Sequence, residues 1–215
     1  MAQIFTKWSN NIPVFLAAAG ALVPTLMVGG IWYYGSPKYT DVGYQPKQPV
    51  PYSHRLHAGE LGLDCRYCHA SVERSAVSNV PPTQVCMNCH NLVKRDSEKL
   101  APIRESFASK RPMEWNRVHK LPDFAYFNHS VHVHAGVGCV TCHGRIDRME
   151  VVAQAQPLSM SWCLDCHRNP EPNLRPVDEV TNMEWKPPKD QVAFAAKLRR
   201  ERHVAPPVDC SGCHR

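Results

Sequence analysis

The chain has 215 residues, 43% of them hydrophobic, with 19 prolines, ten cysteines and a formal charge of +6. That length allows one ordinary domain plus a membrane segment, and outside one N-terminal apolar run the content of Leu, Ile, Val and Phe is too thin to fill a large core unaided. The positive balance would suit an anionic partner, yet no cluster of Arg and Lys interleaved with aromatic residues marks a nucleic-acid surface, and that class is set aside.

Residues 1–11 are polar with a single cation, Lys7. From Ile12 to Tyr34 the chain carries no charge and is long enough to cross a hydrocarbon layer of about 30 Å as a helix. Trp32, Tyr33 and Tyr34 fall where an aromatic belt would sit, and Pro24, Gly29 and Gly30 are tolerable inside such a helix. A cleaved signal peptide is the rival, but the small residues at 17–20 come too early and the apolar run continues past them. Residues 1–34 are therefore expected to be a tail and a retained signal-anchor. Lys38 and Lys47 follow the span, so flanking charge gives contrary guidance on orientation.

Residues 35–51 read as a proline-rich tether. Two modules are expected beyond it, at 52–120 and 121–215, for a reason that lies in the cysteines. These fall as Cys65 with Cys68, Cys86 with Cys89, Cys139 with Cys142, Cys163 with Cys166, and Cys210 with Cys213. Each pair is Cys-x-x-Cys, and each is followed by a histidine: His69, His90, His143, His167 and His214. Cys-x-x-Cys-His is the attachment signature of c-type haem, with both thiols in thioether bonds and the histidine as proximal iron ligand. Zinc also uses Cys-x-x-Cys, but has no need of a histidine after every pair. Disulfides use even cysteine counts, but two-residue loops make poor staples. Five haems are expected, and their macrocycles would supply the missing apolar interior. Their propionates and iron would bring the net charge to about +1 oxidised and about −4 reduced, so the basic balance of the bare chain carries no functional message.

Between the motifs, residues 102–110 read as a short helix begun by Pro102, and 190–202 as a helix capped by Asp190. Period-two alternation is missing, so strands should be few. The expected fold is mostly irregular, with short α-helices around the haems and one N-terminal transmembrane helix.

A short repeat precedes two of the motifs. Tyr52-Ser-His54-Arg-Leu-His57 and Phe127-Asn-His129-Ser-Val-His132 share the form aromatic-x-His-x-x-His. The first leads into Cys65 and the second, at nearly the same distance, into Cys139. Histidines three apart share a face of a helical turn and could each reach a different iron. Besides the proximal five, the histidines are His54, His57, His119, His129, His132, His134 and His203. His134 is offset by two from His132 and is expected to point elsewhere.

This repeat, followed by Cys-x-x-Cys-His, resembles the small multihaem cytochromes of the c3/c7 type. The resemblance implies that His54 ligates haem 1 and His129 haem 3, while His57 and His132 serve later haems, with haems 2 and 4 as candidates. That family places a histidine before a middle motif to serve the last haem. Here "PLSMSWCLDCH" has Met160 instead, a ligand that would raise the potential or a methionine that merely fills space. His119 and, less strongly, His203 compete for any haem left over.

Over nearly its whole length, the anchor, the five motifs, "HAGELGLDCRYCH", "PPTQVCMNCH", "FNHSVHV" and "MSWCLDCHRNPEP" together resemble the pentahaem cytochrome subunit of alternative complex III, a bacterial quinol:cytochrome c oxidoreductase. The resemblance implies a non-catalytic electron-transfer subunit in the inner membrane, single-pass, with its haems in the periplasm. Implied partners are an iron–sulfur subunit and a polytopic quinol-binding subunit, with a periplasmic cytochrome c or terminal oxidase as acceptor. A nitrite-reductase-like enzyme fits less well, since no motif departs from Cys-x-x-Cys-His. A stand-alone tetrahaem quinol dehydrogenase would carry a Met shortly after the first motif, where this chain has Ala70-Ser71-Val72. A filament-forming conduit conflicts with the tether and the anchor.

Overall fold

The structure is a computed structural model and describes residues 4–214; residues 1–3 of the expected tail and residue 215 of the second expected module lie outside it. Its longest element is α1 (Ile12–Tyr34), entered through a 3-10 turn at Lys7–Asn11. Pro13 stands in the first turn, where a missing N–H costs nothing. Pro24 lies mid-helix, and the Thr25 hydroxyl donates to the Ala21 carbonyl at 2.8 Å. This is the one segment among the described residues long and apolar enough to cross a membrane, and none of its apolar side chains is buried by the rest of the chain.

The remaining helices are short: α2 (Pro37–Thr40), α3 (Cys65–Cys68), α4 (Thr83–His90), α5 (Ala101–Ser109), α6 (His129–Ala135), α7 (Cys139–His143), α8 (Met160–Arg168) and α9 (Gln191–Glu201). Among the described residues there is no strand, only isolated bridges pairing Ala125 with His214 and Val137 with Leu174. The two helices expected between motifs are α5 and α9, and Asp190 does cap α9, accepting from the Ala193 N–H at 3.0 Å.

Buried hydrophobic side chains are few: Val50, Ile103, Val133, Leu174, Val180 and Ala195. Four of them lie between residues 133 and 195, where Arg175 is buried too. Its guanidinium packs over the Trp185 ring at 4.7 Å and donates to the Asn182 carbonyl at 3.1 Å. Gly136 and Gly138 admit Arg175, because a Cβ on either would overlap its backbone or guanidinium. So small a core in so long a chain agrees with an interior meant to be filled by something other than side chains.

Residues 43–48 are laid against the second half of the chain. Gly43 N–H donates to the Gln154 carbonyl at 2.8 Å, Gln154 N–H returns to that of Tyr44 at 3.0 Å, and the Gln48 amide exchanges hydrogen bonds with the Asn116 backbone. Other ties cross between the two halves. Arg55 N–H donates to Met149 at 3.0 Å, its guanidinium pairs with Glu150, and the Thr181 hydroxyl donates to Asp64 at 2.9 Å.

Candidate haem-binding site

Four of the five motifs carry both cysteines inside one short helix. Cys65 and Cys68 lie in α3, Cys86 and Cys89 in α4, Cys139 and Cys142 in α7, and Cys163 and Cys166 in α8. One turn of helix brings residues three apart to the same side, so both thiols of a pair can meet the two vinyl groups of one porphyrin.

The fifth motif departs from that pattern. Its 3-10 turn spans Cys210–Gly212, and Cys213 falls just outside as the closing residue, with φ −122° and ψ −23°. The cause is a pull from elsewhere in the chain. Tyr126 N–H donates to the Cys213 carbonyl at 2.9 Å, and Ala125 bridges to His214, so the backbone leaves the turn at this point. Cys213 N–H still donates to the Cys210 carbonyl at 3.2 Å, which keeps the two cysteines on one tight bend. Cys213 is half-buried while Cys210 is exposed. The pair expected from sequence is thus brought together, but on a looser mount than the other four.

Three of the five turns are held at their start by a side-chain cap. Asp64 accepts from Arg66 N–H, Ser159 from Trp162 N–H and Asp209 from Gly212 N–H. None of the ten cysteines, Cys213 included, is in a disulfide, which leaves both thiols of every pair for thioether bonds. Among the described residues, no three His, Cys, Asp or Glu side chains converge as a structural zinc would need.

The histidines near these turns fall into pairs. His57 faces His90 with ring centres 6.1 Å apart, His132 faces His167 at 6.1 Å, and His129 faces His143 at 6.4 Å with nearly parallel planes. Two imidazoles on opposite sides of one metal stand about 6–6.5 Å apart between centres, since a metal–nitrogen bond is about 2 Å and the ring centre lies about 1 Å further on. In each of these pairs a proximal histidine therefore meets a repeat histidine at the spacing that bis-imidazole ligation demands.

Seven histidines direct Nδ1 at a backbone carbonyl, which can only accept, so Nδ1 carries the proton and Nε2 keeps its lone pair for a metal. The acceptors are Ser53 for His57, Asn79 for His69, Val93 for His90, Ala76 for His129, Asn128 for His132, Pro207 for His167 and Phe124 for His214, at 2.6–3.0 Å. His134 is arranged the other way. It is exposed, and its Nε2 is engaged by the Glu73 carbonyl at 3.0 Å.

The repeat has a similar internal geometry in both copies. Tyr52 is stacked on His57 at 4.5 Å and edge-on to His54 at 4.8 Å; Phe127 lies tilted against His132 at 4.6 Å and edge-on to His129 at 4.7 Å. In both, the second histidine bonds the carbonyl four residues back. The aromatic residue thus fixes the rotation of two imidazoles at once. Sequence alone does not assign it this role, although the repeat displays the aromatic position.

Burial keeps several imidazoles neutral, the form that binds metal. His54 is lowered to about 4 by desolvation, aided by the nearby His69 and His57, and His143 is lowered to about 3 by desolvation, aided by His119 and His129. Desolvation also lowers His132 and His119. Buried nitrogens without a protein partner include Nδ1 of His54, Nδ1 of His143 and Nε2 of His119, and the His119 and His143 rings lie only 4.4 Å apart. That spacing is too short for the two to flank one iron. Met160 is 65% exposed at the start of α8, and His203 has a left-handed backbone just past the end of α9, beside Arg199 and Arg200. Of the paired imidazoles, His57, His90, His129, His132 and His167 are held at Nδ1 by carbonyls and free at Nε2, and with a Cys-x-x-Cys turn preceding each proximal histidine they fit covalently bound haem.

Known proteins agree. The family model for cytochrome c7 and related cytochrome c matches residues 125–215. The chain is 29% identical over 118 residues to the menaquinone reductase multiheme cytochrome c subunit of Nitratidesulfovibrio vulgaris, a match covering 54% of this chain and 53% of that protein. It is 25% identical over 111 residues to the acrylate reductase cytochrome subunit of Shewanella woodyi, covering 52% of this chain and 68% of that protein. The chain thus spans about half the length of the first of these relatives. Over residues 125–215 the chain is thus similar to cytochrome c7 and related cytochromes c, and its helix-rich, strandless build among the described residues is that of a c7-like multihaem domain.

Proposed function

We propose that the chain is the electron-relaying subunit of a membrane quinol-oxidising complex of the alternative complex III type. It would carry five c-type haems, one on each Cys-x-x-Cys-His motif, and be held to the bacterial inner membrane by α1 with residues 35–215 in the periplasm. The observation that carries the reading is the set of three histidine pairs, which would leave no coordination position for substrate at those three irons. Bound haem would supply reversible one-electron exchange between ferric and ferrous iron.

The residues would divide the work as follows. His90 with His57, His143 with His129, His167 with His132 and His69 with His54 would hold haems 2, 3, 4 and 1 from both sides. Cys210 and Cys213 would fasten haem 5 and His214 would hold it from one side, with Met160 as the candidate opposite ligand and His119 and His203 as competitors. Backbone carbonyls would orient the rings, and Tyr52 and Phe127 would lock their rotation. Nothing in this arrangement abstracts or donates a proton to a substrate, which suits a relay whose chemistry at the quinol is done by a partner.

The natural partners are an iron–sulfur subunit and a polytopic quinol-binding subunit, with a periplasmic cytochrome c or oxidase as acceptor. Both relatives named above are cytochrome subunits of reductases, which supports membership of a larger redox complex. The first is a subunit of a menaquinone reductase, and that favours a second direction, with electrons running toward the quinone through the same relay.

Mild detergent extraction followed by identification of co-purifying chains tests the reading. A polytopic membrane subunit and an iron–sulfur subunit with quinol-oxidising activity are expected. A homogeneous lone chain that itself oxidises a quinol analogue would contradict it.

A further inference from the structure

We infer that the five haem positions form one unbranched string in the spatial order 2–1–3–4–5, so that the first two run against the direction of the chain and the exposed ends are motifs 2 and 5. The inference rests on the five-haem reading above, but the order comes from ties that are independent of it.

Four links set the order. Motif 2 joins motif 1 through one turn: His57 faces His90, and His54, three residues earlier, is braced by the same Tyr52 ring. Asn88, inside motif 2, also donates to the Tyr67 hydroxyl inside motif 1 at 3.2 Å. Motif 1 joins motif 3 through residues 76–79, where the Asn79 carbonyl accepts from His69 and the Ala76 carbonyl accepts from His129, the partner of His143. Motif 3 joins motif 4 through α6, which presents His129 to His143 and, one turn on, His132 to His167. Motif 4 joins motif 5 because His167 donates to the carbonyl of Pro207 at 2.7 Å, three residues before Cys210.

Sequence order would require motif 2 to adjoin motif 3. Instead, the ties described above from motif 3 to the first half of the chain reach motif 1. The exposure pattern agrees with the string. Of the ten cysteines only Cys89 and Cys210 are exposed, one in motif 2 and one in motif 5. Interior members are shielded by neighbours on both sides, and end members on one. The two ends are then where electrons pass to and from other proteins.

Iron anomalous scattering from crystals of the haem-loaded chain, or a cryo-EM map of it in its native complex, reads the order directly. Five irons are expected, with that of motif 1 lying between those of motifs 2 and 3. Five irons with motif 2 nearest to motif 3 would overturn the order while leaving the five-haem reading intact. Fewer than five would overturn both.

Discussion

At the scale of single residues, the chemistry depends on which nitrogen of each imidazole is free. His57 donates from Nδ1 to the Ser53 carbonyl and turns toward His90. Replacing it by methionine should therefore change one iron and leave the rest alone. His57→Met is expected to raise the potential of one haem by some fraction of the about 0.8 V that axial ligands span. Spectroelectrochemical titration checks this, and a uniform shift of every haem would count against a local role. Asp64 is a different kind of residue. It caps the turn carrying Cys65 and Cys68, receives Arg66, and is bonded by Thr181 from the other half. Those hydrogen bonds, led by that from Arg66, hold its carboxyl down to about 2. A folded value below the unfolded one of about 3.9 means that its contribution is complete above about pH 4 and is lost as pH falls toward about 2. Asp64→Ala should cost about 1 kcal/mol at neutral pH, and the difference from wild type should shrink over that acid interval in thermal melts.

At the scale of elements, the short helices serve as mounts. The helix α6 is only seven residues long, yet it presents two imidazoles one turn apart and ends at Gly136 with φ +88°. An L side chain there would be in the left-handed region and would also meet the Arg175 carbonyl. Gly136→Ala is expected to destabilise by about 1–3 kcal/mol and to broaden the spectra of the two haems that α6 would serve on the proposed reading. An unchanged melting temperature would show that the Arg175 packing is dispensable. Elements were legible from sequence where a local rule fixed them: α1 from its uncharged run, α5 from Pro102, α9 from Asp190. The turns at His54–His57 and α6 were legible through the aromatic-x-His-x-x-His repeat. The carbonyls of Asn79, Ala76, Val93, Pro207 and Phe124 were not, because a backbone acceptor leaves no signature in residue type. The same holds at Cys213, whose motif reads like the other four although a distant Tyr126 N–H draws its carbonyl out of the turn. Nor was the docking of residues 43–48 legible, since the prolines and glutamines of that stretch read as a spacer until Gln154 and Asn116 are seen to bind it.

At the scale of the whole molecule, a chain with six buried hydrophobic side chains among its described residues needs some other source of cohesion. Five macrocycles, each fastened by two thioethers and clamped by imidazoles, would provide it, and would turn a loop-rich polypeptide into a rigid relay. The count of motifs was plain in the sequence. Their arrangement was not, because the crossing from motif 1 to motif 3 is made by imidazoles and carbonyls far apart in the chain. The same view explains why apolar surface is so widely spread over the bare polypeptide, and it predicts that the chain without haem will not hold this fold. The central claim is tested most directly by intact mass spectrometry of the native protein. A mass greater than the polypeptide by five haems, with no free thiol available to alkylation, is the predicted result; reactive cysteines, or zinc in place of haem, would contradict it.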